Sequence, residues 1–106
     1  MTGRIETYIH SDSTTENKGG CLIRVETQTD FSARTGKFQK FCRSAAMMCY
    51  GCSAESWDIS WDDVAAEFPG IEKIRVKIEE ELRETIKITS IKILKLSDEP
   101  KTEEEE

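Results

Sequence analysis

The sequence predicts an α+β fold: a three-stranded antiparallel sheet, built from a hairpin and a C-terminal strand, packed against two or three helices in the order β-β-α-α-β. Three observations lead there. Two alternating stretches flank a turn-rich segment near the N-terminus, an apolar stripe at helical spacing occupies the middle, and an isoleucine-rich run closes the packed part of the chain.

The first strand runs from Gly3 to Ser11, where Ile5, Thr7 and Ile9 alternate with Arg4, Glu6, Tyr8 and His10 in the period-2 pattern of a half-buried strand. Residues 11 to 20 (SDSTTENKGG) have nothing to bury and are rich in turn formers, so they form the hairpin loop. From Gly20 to Thr27 the alternation returns, with Cys21, Ile23 and Val25 on one face and Leu22, Arg24 and Glu26 on the other. The two strands make an antiparallel pair.

A helix is expected from Gly36, capped by the Thr35 hydroxyl and ended by Gly51. Phe38, Phe41, Cys42, Ala45, Ala46 and Cys49 recur along it as one continuous stripe. Cys52 to Ile59 reads as irregular. Ser60, with Asp63 three residues on, resembles a capping box and starts a short helix, Trp61 to Phe68. Pro69-Gly70 should break or bend that helix, because proline lacks an amide proton and crowds the preceding turn. Helical spacing then resumes at Ile71, Ile74, Ile78 and Leu82, with a charged outer face on which Arg75 and Glu79 lie four apart and can meet.

The last strand, Ile86 to Leu96, changes parity: Ile86 and Ile88 point one way, Ile91 and Ile93 the other. A bulge near Thr89-Ser90, or a change of packing partner along the strand, would reconcile them. Residues 97 to 106 end in four glutamates and are expected to be a disordered acidic tail, leaving residues 1 to 96 as the domain.

At 106 residues there is material for one domain with a real core and no second one. A net charge of −6 and the lack of a basic face argue against direct nucleic-acid binding. No apolar run reaches the roughly 18 residues that span a bilayer, and the N-terminus has no secretory pattern, so a cytoplasmic location is expected. The four cysteines, Cys21, Cys42, Cys49 and Cys52, are then expected to be reduced thiols. Cys49-x-x-Cys52 has redox spacing but sits at a helix C-terminus, where the dipole opposes thiolate formation, and a zinc site would need a second such pair. His10 has no nucleophile near it in sequence and no phosphate-binding glycine loop is present. The sequence therefore predicts neither an enzyme nor a cofactor or metal site.

The stretch between hairpin and helix, residues 26 to 34 (ETQTDFSAR), is too polar to be core yet has Phe31 in its middle. Either Phe31 covers the start of the following helix, or it is held out as a wedge for a partner, with Asp30 beside it as an acceptor. This stretch resembles the E-V-N-C-[EQ]-T-D-F-V-A-[RK] signature of the elongation factor Ts family. Gly3-x-Ile5-x-x-Tyr8-Ile9-His10 is similar to the family's first strand, Phe38-x-x-Phe41 and Ala46-Met47 fall in its next helix, and residues 85 to 91 (TIKITSI) are similar to its closing strand. The resemblance covers about residues 3 to 96.

It implies guanine-nucleotide exchange on the GTPase elongation factor Tu, with Asp30 and Phe31 reaching the nucleotide domain near its magnesium ion and Thr29 and Arg34 supporting the turn. An elongation factor Tu-binding module without exchange activity, a decoy or scaffold, is the alternative; a cysteine-based metal or redox protein is the third. Departures are Ser32 in place of a small hydrophobic residue, Thr27 in place of Cys or Ser, and Pro69-Gly70 interrupting a longer helix. The family's N-terminal three-helix module, second core subdomain and coiled-coil insertion are expected to be missing.

Overall fold

The computed structural model describes residues 2–52 and 56–96; the acidic stretch 97–106 lies outside the described residues. Eight elements follow one another: β1 (Thr2–His10), β2 (Gly19–Thr27), α1 (Asp30–Ala33), α2 (Gly36–Tyr50), β3 (Trp57–Ile59), α3 (Trp61–Glu67), α4 (Pro69–Leu82) and β4 (Lys87–Lys95). The strands form one antiparallel sheet in the order β1-β2-β4-β3, with the helices layered on one face.

The class is the α+β class expected, but the sheet has four strands, not three. The extra strand, β3, lies in the stretch read as irregular and pairs with β4 through Trp57↔Ile93, Asp58↔Lys92 and Ile59↔Ile91. Three residues are too few for a period to show, and it is the partner strand that makes them extended. A helical turn, α1, is likewise added between β2 and α2.

Register decides what alternation could not. Tyr8 sits opposite Cys21, Glu6 opposite Ile23 and Arg4 opposite Val25, and directly opposed residues share a face. Cys21, Ile23 and Val25 are buried against the helices, so β1 turns Arg4, Glu6 and Tyr8 toward the helix layer and leaves Ile5 and Ile9 exposed. Arg4 and Glu6 pair there at 3.3 Å, while Tyr8 packs against the core.

The parity change in β4 is resolved by a bulge where it was expected. Arg24 pairs with Ser90 and Val25 with Ile88, so Thr89 is the extra residue. Ile88, Ile91 and Ile93 are consequently all buried. Beside the bulge, on the edge strand β1, Gly3 adopts φ +143°, where an added Cβ would lie 2.0 Å from the Val25 carbonyl oxygen; only glycine fits.

The helix layer follows its local signals. The Thr35 hydroxyl accepts the Phe38 amide to start α2, whose stripe Phe38, Phe41, Cys42, Ala45, Ala46 and Cys49 is buried. Ser60 accepts the Asp63 amide to start α3. Phe68, non-helical at φ −130°, ψ 73°, ends α3, and Pro69 opens α4, where a missing amide proton costs nothing. Arg83, left-handed at φ 58°, caps α4 and turns the chain toward β4.

Candidate functional site

The sheet-to-helix corner is built from threonines and one distant carboxylate. Thr27, the last residue of β2, is buried; its hydroxyl donates to the Thr29 carbonyl at 3.0 Å, and the Thr2 hydroxyl donates to the Thr27 carbonyl at 2.8 Å. Thr27 thus leaves no orphaned polar group in the core. Thr29 is extended (φ −133°, ψ 153°), and its hydroxyl accepts the Ser32 amide at 3.2 Å, the N-cap geometry that starts α1.

Within this single turn the Arg34 amide donates to the carbonyls of Asp30 and Phe31, and the Thr35 hydroxyl donates back to the Ser32 carbonyl before its own oxygen caps α2. Asp30 and Phe31 occupy the first positions of α1 and point away from the core. Phe31 is 80% exposed, the most exposed large apolar side chain among the described residues. It does not cover the start of α2, which removes the packing explanation for an aromatic at this position.

Of the four residues singled out in sequence, Thr29, Asp30, Phe31 and Arg34, the structure brings all four into one turn. Thr29 acts through its side chain. Arg34 contributes its backbone amide, and its side chain is exposed.

Sequence reasoning did not find Glu84. Its Oε1 accepts the amides of Gln28 and Thr29, each at 3.1 Å, and its Oε2 accepts the Thr29 hydroxyl at 2.6 Å and the Ser32 hydroxyl. Reciprocally, the Thr85 amide donates to Gln28 Oε1 at 2.7 Å. These hydrogen bonds, first among them the one from Ser32, hold the Glu84 carboxyl below its ordinary value of 4.5. They also account for Ser32, which departs from the family pattern: it is 3% exposed, and its hydroxyl is satisfied by the carboxylate. No local pattern could have pointed to Glu84, because its partners lie 52 to 56 residues away in the chain.

The cysteines belong to the core. Cys21, Cys42 and Cys49 are buried and Cys52 half-buried, all as free thiols. Burial pushes the Cys42 thiol up to about 12, and the hydrogen bond with Cys21, followed by burial, pushes Cys49 up. Among the described residues, no cluster of three or more potential metal ligands comes together. His10 accepts or donates a 2.7 Å hydrogen bond with the Tyr8 hydroxyl and stacks near Tyr50, whose ring lies 3.9 Å from Lys95 Nζ. No helix among the described residues is long and apolar enough to cross a membrane.

Fold and site together define an α+β layer domain that presents an acid and an exposed aromatic on a one-turn helix at a sheet-to-helix corner. Comparison with known proteins finds several relatives of one kind. Elongation factor Ts of Trichodesmium erythraeum is 37% identical over 71 residues, 67% of this chain and 30% of that protein. Elongation factor Ts of Rubrobacter xylanophilus is 44% identical over 45 residues, 42% of this chain and 21% of that protein. Chloroplastic elongation factor Ts of Cyanidioschyzon merolae is 28% identical over 78 residues, 74% of this chain and 34% of that protein. No protein-family model matches the chain, and no solved structure does. Over the matched stretches the chain is elongation factor Ts-like, and it spans about a third or less of the length of each of these relatives.

Proposed function

We propose that this domain docks on the GTPase elongation factor Tu and promotes release of its guanine nucleotide, with Asp30 and Phe31 perturbing the magnesium and nucleotide site. The similarity to elongation factor Ts supplies the class of partner. The observation that carries the reading is the 80% exposure of Phe31 on a turn held by the Thr29 N-cap and by the Ala33, Arg34 and Thr35 amides. An aromatic ring carried on an ordered turn spares a partner the entropy of ordering that turn, which is the property of interface anchors.

The mechanism needs no covalent chemistry. A GTPase holds its nucleotide through a phosphate loop and a magnesium ion, so a ring pushed between the groups that orient them weakens nucleotide binding. By linkage, bound nucleotide weakens the binding of the factor by the same ratio, which makes exchange reversible. Asp30 supplies an acceptor beside the ring for a donor on the GTPase.

The test uses elongation factor Tu loaded with a fluorescent GDP analogue. Phe31→Ala is expected to lower the stimulated release rate at least about tenfold, the scale of a loss of one interface anchor, with the circular dichroism spectrum unchanged. An unaltered release rate removes the wedge. A second reading, binding without exchange, draws on the chain spanning only 30% of the Trichodesmium relative. Complex formation with no stimulated release selects that reading instead.

A further inference from the structure

We infer that Glu84 is the positioning residue that holds the Asp30-Phe31 turn in its presenting geometry; for the docking step this rests on the reading proposed above. Phe31 cannot position itself, since its ring is 80% exposed and packs on little of its own protein. A four-residue helix cannot hold itself either, because nucleating one helical turn is unfavourable in isolation. What fixes the turn is attachment to the rest of the domain.

Glu84 supplies it. One carboxylate receives four donors from three residues of the turn: the amides of Gln28 and Thr29 and the hydroxyls of Thr29 and Ser32. Two of them are the backbone groups that leave β2, where no strand partner is available, and a third is the buried Ser32 hydroxyl. Bonds to an ionised acceptor are stronger than neutral ones. The carboxylate is itself aimed by the left-handed Arg83, whose amide and that of Glu84 both donate to the Glu79 carbonyl. The link is therefore two-sided, with Thr85 returning a bond to Gln28.

Without Glu84 the turn samples other conformations, and a partner must order it on binding. Loss of pre-organisation weakens docking without removing the wedge. The two roles differ kinetically: Phe31, which both docks and wedges, acts on the maximal rate of stimulated GDP release and on the concentration of factor that half-saturates it, whereas Glu84 acts through Phe31 on the half-saturating concentration alone.

The experiment measures both parameters with GDP-loaded elongation factor Tu for the full chain and for Glu84→Ala, Glu84→Gln, Phe31→Ala and the Phe31→Ala/Glu84→Ala double variant. Amide hydrogen exchange at Gln28 and Thr29 is followed by NMR on each protein. Glu84→Ala is expected to raise the half-saturating concentration at least about tenfold at nearly unchanged maximal rate, and to speed exchange at both amides by a similar factor. Glu84→Gln keeps an acceptor for those amides but puts a donor where the Thr29 and Ser32 hydroxyls donate, so it is expected to restore only part of the loss; it also serves should Glu84→Ala fail to fold. In the Phe31→Ala background the Glu84 effect should vanish.

A Glu84→Ala protein with unaltered half-saturation overturns the inference, as does an equal loss with and without Phe31. If Phe31→Ala itself leaves release untouched, it is the exchange reading that falls. The holding role of Glu84 is then decided by the Gln28 and Thr29 amides: faster exchange in Glu84→Ala upholds it, and unchanged exchange ends it.

Discussion

At the scale of single residues, the corner between sheet and helix shows how a polar stretch becomes rigid without a core of its own. Thr27, Thr29 and Thr35 each satisfy a backbone partner within the turn, and Glu84 gathers the Gln28 and Thr29 amides and the Thr29 and Ser32 hydroxyls. This carries a pH dependence with a definite sign. The Glu84 carboxyl lies below 4.5 in the folded chain, chiefly through the Ser32 and Thr29 hydroxyls. Its contribution is therefore complete above 4.5 and is lost only as pH falls through the lower folded value. The charged groups beside it are Glu79, Glu80 and Arg83, which share its groove with Gln28 and Thr85. An NMR titration should show the Gln28 and Thr29 amide resonances constant from neutral pH down to about 4.5 and moving together below it; movement near neutrality would contradict the assignment.

At the scale of elements, the junction of α3, α4 and β4 depends on one guanidinium. Arg75 donates to Glu72 from Nε at 2.8 Å, pairs with Glu79 at 2.8 Å and reaches the Ile86 carbonyl at 2.8 Å, while the Trp61 indole donates to Glu72 at 2.9 Å. Glu79 in turn accepts the Ile86 amide at 2.8 Å. The Arg75–Glu79 contact follows from helical spacing, but its continuation to Ile86 does not, since that carbonyl belongs to the residue just before β4. Because Glu84 sits between Glu79 and Ile86, this network also sets the platform for the clamp. Arg75→Ala is expected to lower stability by about 1–3 kcal/mol, the cost of leaving such partners unmet, read as a shift of the urea midpoint at constant slope. A change under 0.5 kcal/mol, the level of an ordinary surface substitution, would make the network ornamental.

For the molecule as a whole, stability rests on the α2 stripe seated against Cys21, Ile23, Val25, Ile88, Ile91 and Ile93. Phe38 is fully buried and the largest of the group. Phe38→Ala should cost about 3–5 kcal/mol, a large share of the roughly 5–15 kcal/mol typical of a domain, and urea denaturation measures it directly. The stripe could be read in the chain, as could the caps at Thr35 and Ser60, the break at Pro69 and the bulge at Thr89, because each depends on residues a few positions apart. The strand β3, the inward face of β1 and the Glu84 carboxylate could not, because each is settled by a partner far away in sequence.

The chain by itself determined the α+β class, the start and end of α2, the break between α3 and α4, and the likeness to elongation factor Ts, all consequences of period, capping chemistry and short motifs. Only the tertiary structure decided that Arg4, Glu6 and Tyr8 of β1 face the helices, that a fourth strand completes the sheet, and that Phe31 stands in solvent on a turn tied to Glu84. The reason is physical. A strand's inward face follows from its partner's register, and a carboxylate finds its donors only after folding has closed a loop of more than fifty residues.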